Sequence, residues 1–339
     1  MPAAALTPLV RAPFHAVPTI DLTAFRQGSP LERRAVAERI GQACRKVGVF
    51  NLTGHGVPED LVAGVFREID RFCALPEADK QALHMRRSPH FRGYFGAYDE
   101  KTETGSAGDL KEGLEIGTEP DGSALPDLPT RLLGPNQWPA DLPGFKPTVE
   151  AFFQALIDLS TELLHAFGES FGLAPDTFTR SLRTPISRLK LLRYPEQPAA
   201  DAAALLGCGA HTDYSVLTIV AQDGVGGLEL QNSAGDWIPV PPVEGALFVN
   251  LGEQMARWTN DVFLATPHRV VNRTGRPRRS AAFFFHPDPG TVIDPLPACC
   301  TADNPRRYPP ITAADHLLEL FNEPTSSYRE QAAATLPAS

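Results

Sequence analysis

The sequence predicts an α+β fold in which many short strands build a core of jelly-roll type and helices support it. Between residues 215 and 285, short apolar or alternating runs are separated by turns that contain Gly, Asp or Pro. Many short strands with turn signals between them are typical of a β-sandwich or barrel. A long amphipathic helix comes before this region, and strands and helices alternate at the start of the chain.

The predicted strands are rich in β-branched and aromatic residues. Two of them lie early in the chain, at residues 17–22 and 49–52. Residues 91–114 are rich in glycine and charge, which predicts a loop with an edge strand. The predicted core strands cover residues 215–221, 228–231, 237–240, 246–251, 269–272 and 280–285.

Helices are predicted where apolar residues recur every three or four positions. Residues 147–172 carry the broadest apolar stripe, and we expect this helix to pack under the barrel. The prolines between residues 120 and 147 indicate an irregular crossing before it. The other predicted helices are 30–46, 58–74, a short one from residue 76, and 312–321.

Composition limits the classes of function. The chain has 339 residues, 42% of them hydrophobic, and a formal net charge of −9. Because no long basic run is present, neither nucleic acid nor an anionic membrane is an expected partner. The five cysteines show no zinc spacing and no disulfide framework, and no stretch resembles a signal peptide or a membrane span. We therefore expect a cytoplasmic protein, and the sequence predicts nothing about its oligomeric state.

Two histidines and one aspartate are candidate metal ligands. His211 and Asp213 are two residues apart, so on a strand or at a strand end both side chains point to one face. His268 follows 55 residues after Asp213, which leaves room for several strands and a return to the first. Two imidazoles and one carboxylate fit a non-haem Fe(II) site with open positions. A closed structural zinc site needs four ligands, commonly with cysteine, and no such set is visible.

Arg278 and Ser280 are a candidate receptor for a carboxylate. Alternation places both on one face of a predicted strand and Arg279 on the other. An arginine fork beside a hydroxyl suits a carboxylate, because the fork donates two charged hydrogen bonds in one plane. The neighbouring arginines also fit a solvated basic edge, but the position soon after His268 favours the receptor.

Ordered motifs along nearly the whole chain resemble those of one family. They include Val17-Pro-Thr-Ile-Asp-Leu22, Gly54-His55-Gly56, Arg92-Gly93-Tyr94, Arg193-Tyr194-Pro195, His211-Thr212-Asp213, Val249-Asn250-Leu251-Gly252 and Pro267-His268-Arg269-Val270. With them the chain resembles the isopenicillin N synthase-like family of 2-oxoglutarate- and Fe(II)-dependent oxygenases. The resemblance implies a double-stranded β-helix (jelly-roll) core with supporting helices. It also implies an N-terminal α/β region over residues 1–120 and a jelly-roll oxygenase region over 121–339, folded as one catalytic unit.

The resemblance implies roles for individual residues. The implied Fe(II) ligands are His211, Asp213 and His268. The implied receptors of the distal carboxylate of 2-oxoglutarate are Arg278, Ser280 and Tyr194. The family often has Asn two residues before that tyrosine, where this chain has Leu192. Lys190, on the same strand face by alternation, is a candidate basic substitute.

The implied reaction is the oxidation, by default hydroxylation, of a small-molecule metabolite, with 2-oxoglutarate and O2 consumed and succinate and CO2 released. In the family, the region of residues 91–114 lies over the mouth of the iron site. The candidate substrate contacts there are Phe91, Arg92, Tyr94 and Lys111. The other histidines, including His286 and His316, are interpreted as surface or packing residues.

Two other functions stay open on the sequence. An Fe(II) oxidase of the same fold that does not use 2-oxoglutarate, and instead closes a ring or forms ethylene, carries the same Arg-x-Ser motif for a substrate carboxylate. A non-catalytic binding module on an oxygenase-like scaffold would show no iron-dependent turnover. The complete set of candidate ligands argues against the module, but the motif alone does not separate the two enzymes.

Overall fold

The computed structural model describes residues 12–102, 108–119, 131–180, 182–197 and 205–322. Among them, two β-sheets enclose a cavity, and helices cover the outer side of the larger sheet. The expected boundary between residues 120 and 121, and the polar tail after residue 322, lie outside these ranges. None of the described helices is both long and apolar enough to cross a bilayer.

The helices follow the sequence prediction closely. A capping box begins the second helix. The Ser29 side chain accepts from the Glu32 backbone N–H, and the Glu32 carboxylate accepts from the Ser29 backbone N–H. All five predicted helices are present. The predictions for residues 30–46, 58–74, 76 onward, 147–172 and 312–321 correspond to α2, α3, α4, α5 and α7 of the series that follows. The α-helices are α1 (Thr23–Gln27), α2 (Pro30–Lys46), α3 (Glu59–Cys73), α4 (Glu77–Ala82), α5 (Phe145–Ser170), α6 (Glu253–Trp258) and α7 (Ala313–Phe321).

The strands are short, as predicted, and more numerous than the sequence indicated. The fourth strand and the last two have no predicted counterpart, whereas the fifth and sixth contain Lys190 with Tyr194 and His211, where alternation and ligand spacing indicated a strand. The strands are β1 (Thr19–Asp21), β2 (Val49–Thr53), β3 (Gly93–Phe95), β4 (Glu112–Gly117), β5 (Arg188–Tyr194), β6 (Cys208–His211), β7 (Leu217–Gln222), β8 (Leu228–Gln231), β9 (Trp237–Val240), β10 (Leu247–Leu251), β11 (His268–Val270), β12 (Arg278–Phe285), β13 (Val292–Ile293) and β14 (Ile311–Thr312).

The larger sheet has eight strands in the order β1-β2-β10-β7-β12-β5-β4-β3, and the smaller has four in the order β6-β11-β8-β9. All neighbours in both sheets are antiparallel except β1 and β2. The edge strand expected within residues 91–114 is β3, and its partner β4 lies inside the sheet next to β5. Two facing, mostly antiparallel sheets form the predicted jelly-roll core.

Alternation along β12 separates the cavity from the helical layer. Arg278, Ser280, Ala282 and Phe284 line the cavity, whereas Ala281, Phe283 and Phe285 belong to the core beneath the sheet. Phe283 meets Phe153 of α5 edge-on, with ring centroids 5.1 Å apart. The expected support of the barrel by the long helix is therefore confirmed.

Truncation of Phe283 tests this support. Its side chain is fully buried, so Phe283→Ala should lower the free energy of unfolding by roughly 3–5 kcal/mol through lost burial and the cavity left behind. Urea unfolding followed by circular dichroism measures the change. Leu31→Ala, at a position with 78% exposure, should change it by less than about 0.5 kcal/mol. Equal effects in the two variants would contradict the packing described.

Candidate metal centre and binding cavity

A cavity of ≈ 360 Å³ lies between the two sheets. The larger sheet contributes side chains from β5, β7, β10 and β12, and the smaller sheet contributes side chains from β6, β8 and β11. The volume falls in the range of small-molecule sites. Both groups of candidate residues line this cavity. They are the metal-ligand candidates His211, Asp213 and His268, and the carboxylate-receptor candidates Arg278 and Ser280.

The three candidate metal ligands converge on one point. His211 ends β6, Asp213 lies in the turn after it, and His268 begins β11. His211 and His268 are direct partners across the two strands. Nε2 of each imidazole approaches Oδ1 of Asp213, at 3.5 Å from His211 and 3.6 Å from His268. Among the described residues, this is the only His/Cys/Asp/Glu group of three whose ligand atoms lie within 4.8 Å of one another.

Backbone carbonyls hold both imidazoles in the form that a metal requires. Nδ1 of His211 lies 2.8 Å from the Gly209 carbonyl oxygen, and Nδ1 of His268 lies 3.2 Å from that of Thr266. A carbonyl only accepts, so each Nδ1 donates its hydrogen and each Nε2 is the ring nitrogen that faces Asp213. This outer hydrogen bond is the usual support of a metal-binding histidine.

Asp213 is oriented from behind by β10. Asn250 Nδ2 donates to Oδ2 of Asp213 at 2.6 Å, which leaves Oδ1 toward the imidazoles. Gly252 allows the close approach, since a Cβ there would lie 2.7 Å from the Asp213 carbonyl oxygen and 2.2 Å from that of Ser215. The Val-Asn-Leu-Gly sequence therefore supplies both the hydrogen bond and the space that fix this carboxylate.

Burial and neighbouring charges shift the titration of the three groups. Burial raises the pKa of Asp213, but the two histidines outweigh burial and hold that pKa well below its ordinary range. Burial lowers the pKa of His268 to about 4, so its ring is neutral at pH 7. Burial also lowers the pKa of His211, but Cys208 and Asp213 outweigh burial and raise it well above its ordinary value. A metal bound by Nε2 of His211 would take the place of that proton.

The donor set and spacing fit a divalent iron ion. Two neutral imidazole nitrogens and one carboxylate oxygen are the ligands of the facial triad of non-haem Fe(II) sites. Neighbouring ligands bound at about 2.1 Å in octahedral geometry lie roughly 3 Å apart, close to the separations from Asp213 to the two histidines.

Arg278 is a buried cation on the cavity wall. Its Nη1 donates to Ser280 Oγ at 3.2 Å and its Nη2 donates to Gln222 Oε1 at 3.1 Å. Tyr194 lies opposite Arg278 in the pairing of β5 with β12, and the guanidinium carbon lies 4.8 Å from its ring centroid. No carboxylate of the described residues pairs with Arg278. A buried guanidinium without a counterion fits an anionic ligand such as 2-oxoglutarate.

Comparisons with known proteins agree with this geometry. Residues 17–141 match the non-haem dioxygenase N-terminal family described for morphine synthesis, and residues 185–287 match the 2OG-Fe(II) oxygenase superfamily. A 2-oxoglutarate-Fe(II) type oxidoreductase of Emericella nidulans, hxnY, is 35% identical over 88% of each chain. The chain belongs to the 2-oxoglutarate- and Fe(II)-dependent oxygenase family. The oxygenase is therefore an oxidoreductase that uses Fe(II), 2-oxoglutarate and O2.

Other relatives differ in what their names describe. A homoarginine-6-hydroxylase of Glycine max is 29% identical to the oxygenase, over 84% of this chain and 89% of that one. A full-length Neurospora crassa protein solved with alpha-KG and thymine superposes with a TM-score of 0.80 at 27% identity, covering 94% of this chain and 97% of that chain. The name of the Emericella nidulans relative contains 2-oxoglutarate, and alpha-KG in the Neurospora crassa structure is the same compound. Both favour the 2-oxoglutarate-dependent oxygenase over the two alternatives that the sequence left open.

A buried ion-pair group forms one wall of the oxygenase cavity, and sequence reasoning found only two of its members. Lys111 Nζ donates to Glu100 at 3.0 Å and to Asp109 at 2.9 Å, and Lys190 Nζ donates to Glu100 at 2.5 Å. Burial alone would raise the pKa of Glu100, but the two lysines hold it well below its ordinary range. The members of the ion-pair group are Glu100, Asp109, Lys111, Glu115, Arg188 and Lys190.

The predicted substrate contacts lie in different places. Lys111 lines the cavity, but Phe91, Arg92 and Tyr94 are not among its lining residues. Phe91 packs against Phe321, Arg92 donates to backbone carbonyls that include those of Thr118 and Leu132, and Tyr94 packs against Phe72 and His84. All three are buried and outside the cavity wall, and of the three Phe91 is the one that packs against α7.

Several cavity residues were not predicted from the sequence. Asn250, Glu100 and Phe321 line the cavity, and so does His286, which was expected to be a surface or packing residue. His286 is buried and bonds Gln254, as a packing residue would, but it also lines the cavity, which was not expected. His286 directly follows β12, and the even-numbered positions of that strand face the cavity, so alternation from Arg278 and Ser280 would have indicated it.

Replacement of Asn250 tests how Asp213 is held. Asn250→Leu keeps a similar volume but removes the donor to Oδ2, so the affinity for Fe(II) should fall by roughly 10- to 100-fold. Anaerobic calorimetric titration with Fe(II) measures this, with thermal unfolding as a check that the variant is folded. Asn322→Ala, at an exposed position on the last described turn, should bind Fe(II) as the wild type does. An unchanged affinity in Asn250→Leu would show that Asp213 needs no such support.

Proposed function

We propose that the oxygenase hydroxylates a small-molecule metabolite and that His211, Asp213 and His268 are its Fe(II) ligands. The observation that carries this proposal is the convergence of three metal-type side chains at one point in a buried cavity. Bound there, Fe(II) supplies, together with 2-oxoglutarate and O2, the oxidation of a substrate C–H bond, with succinate and CO2 as the other products.

We assign Arg278, Ser280 and Tyr194 to the distal carboxylate of 2-oxoglutarate. The guanidinium is buried and its hydrogen bonds to neutral Ser280 and Gln222 leave its charge without a counterion among the described residues. Lys190 already has Glu100 as a partner, so Arg278 is the better counterion for the cosubstrate. A contact between Lys190 and the cosubstrate stays a prediction.

The protein's own contribution is to orient the reactants and to exclude water. The receptor fixes one end of the cosubstrate, while the carbonyl-bound imidazoles fix the directions of the metal bonds. Leu317 and Phe321 of α7 close part of the cavity with apolar surface. A fixed and dry site directs the oxidation at one bond of the substrate rather than at solvent.

The small-molecule class is supported by relatives whose names describe a homoarginine hydroxylase and a complex with thymine.

We also propose that residues 1–120 and 121–339 form one catalytic unit, because β1 to β4 share the larger sheet with β5, β7, β10 and β12. A reducing compartment, the cytoplasm, is the location we propose, and five free thiols are consistent with it.

Removal of one proposed ligand tests the metal assignment. His268→Ala takes away one of three protein donors, so Fe(II) binding and succinate formation should both fall below detection while the far-ultraviolet circular dichroism stays that of the wild type. His15→Ala, at an exposed position, should retain both. Wild-type Fe(II) affinity or turnover in His268→Ala would rule out this ligand set.

Two neighbouring arginines give a matched test of the cosubstrate receptor. Arg278→Ala removes a charged hydrogen-bonding partner worth roughly 1.5–3 kcal/mol, so the Kd for 2-oxoglutarate should rise about tenfold to a hundredfold. Arg279 points away and pairs with Asp70 and Asp223, so Arg279→Ala should leave that Kd within about twofold. Calorimetry in the presence of Mn(II) measures binding without turnover. If the two variants lose affinity equally, the receptor lies elsewhere.

A further inference from the structure

His286 carries a fixed hydrogen-bond acceptor on the cavity wall. Its Nδ1 lies 3.2 Å from Oε1 of Gln254, and Nε2 of Gln254 donates to the Ala313 carbonyl at 3.1 Å. Because a carbonyl only accepts, the amide NH2 of Gln254 must face Ala313 and its oxygen must face the imidazole. His286 therefore donates from Nδ1, and the lone pair of its neutral ring is on Nε2.

Nothing in the described protein uses that lone pair. His286 is 2% exposed and lines the cavity, and Nε2 has no hydrogen-bond partner among the described residues. Burial, together with the nearby charge of Arg188, lowers the pKa of His286 to about 3, so the ring is neutral at pH 7. Polar atoms in protein interiors are nearly always matched by a partner from the protein, from water or from a ligand. Because His286 lines the cavity, a molecule bound there can donate to Nε2.

Most of the charged side chains around the cavity are paired with one another. The ion-pair group defined above contains three cations and three carboxylates, joined to one another by short contacts. Glu253, a further carboxylate on the wall, is half-buried and accepts a hydrogen bond from Thr212 at 2.5 Å. On the proposed function, Arg278 is matched by the cosubstrate and Asp213 by the metal. An anionic substrate would then be buried without a counterion, which is costly, and a cationic one would meet, among the described residues, only Glu253, which already accepts from Thr212.

The remaining wall is apolar and the space is small. Val220, Phe248, Phe284, Leu317 and Phe321 supply much of the surface of a cavity of ≈ 360 Å³, which the cosubstrate shares. We propose that the substrate is a compact molecule, uncharged at pH 7, that donates an N–H or O–H hydrogen bond to Nε2 of His286. This inference rests on the proposed function and assigns His286 as a specificity-determining residue.

A set of probes with one ring and different charge tests the first part. Benzamide is neutral and has an N–H donor, benzoate is an anion, and benzylammonium is a cation of similar size. Each is titrated anaerobically by calorimetry into the full chain loaded with Fe(II) and 2-oxoglutarate. Benzamide should bind at least about tenfold more tightly than either ion. Tighter or equal binding of benzoate or benzylammonium, or no binding of benzamide at millimolar concentration, would overturn the inference.

Acetophenone tests the acceptor, because it replaces the NH2 of benzamide with a methyl group of similar size. Wild-type protein should prefer benzamide by roughly two- to tenfold, the range of a single neutral hydrogen bond. In His286→Phe this preference should fall to about one. His165→Phe removes a histidine that bonds Thr179 outside the cavity, and it should keep the wild-type ratio. A preference retained in His286→Phe would overturn the role of His286, and the charge series on wild-type protein stands even if that variant fails to fold.

The oxygenase function and the substrate class are tested by different measurements. Fe(II) binding and succinate release by the wild type depend on the metal and cosubstrate residues and not on the probes. If both occur and a charged probe binds best, the oxygenase assignment stands and the substrate class is wrong. If Fe(II) does not bind at the three proposed ligands, the function itself is wrong.

Discussion

The pairing of β6 with β11 is the constraint on which the site depends. It sets His211 directly opposite His268, with their ring centroids 4.3 Å apart. The register shifts between His268 and Val270, so one strand carries an extra residue at this point. Such bulges re-aim side chains, and here both Ala210 and His211 face the cavity. Without this local irregularity, strict alternation would send one of those two side chains away from it.

The larger sheet supplies what the smaller one lacks. β10 brings the amide that orients Asp213, and β12 and β5 bring Arg278 and Tyr194 side by side in register. The other face of this sheet packs into the apolar core, with α3 and α5 against β12 and α3 against β5. The polar inner face can therefore stay well ordered although it is buried, since the stability of the sheet comes from the apolar face behind it.

Buried charges divide the cavity into two regions. In the ion-pair group every cation has a carboxylate partner at short range, so that wall is satisfied by the protein itself. Arg278 has no carboxylate partner among the described residues, whereas Asp213 faces His211, whose raised pKa favours a proton that a bound metal would replace. Because an uncompensated buried charge is costly, Arg278 is the proposed site of an anion and the group around Asp213 is the proposed site of a cation.

The sequence by itself determined the residue types of the candidate metal centre and of the candidate carboxylate receptor, and it predicted most of the elements that carry them. Ligand type, the two-residue spacing of His211 and Asp213, and the alternation of Arg278 and Ser280 are local properties, and local properties are readable along a chain. Only the tertiary structure decided which other residues line the cavity, among them members of the ion-pair group. Glu100, Lys111 and Lys190 meet through long-range strand pairing and burial, and Phe91 packs against α7 rather than lining the cavity. Such contacts depend on register and on packing between distant segments, which no short-range pattern encodes.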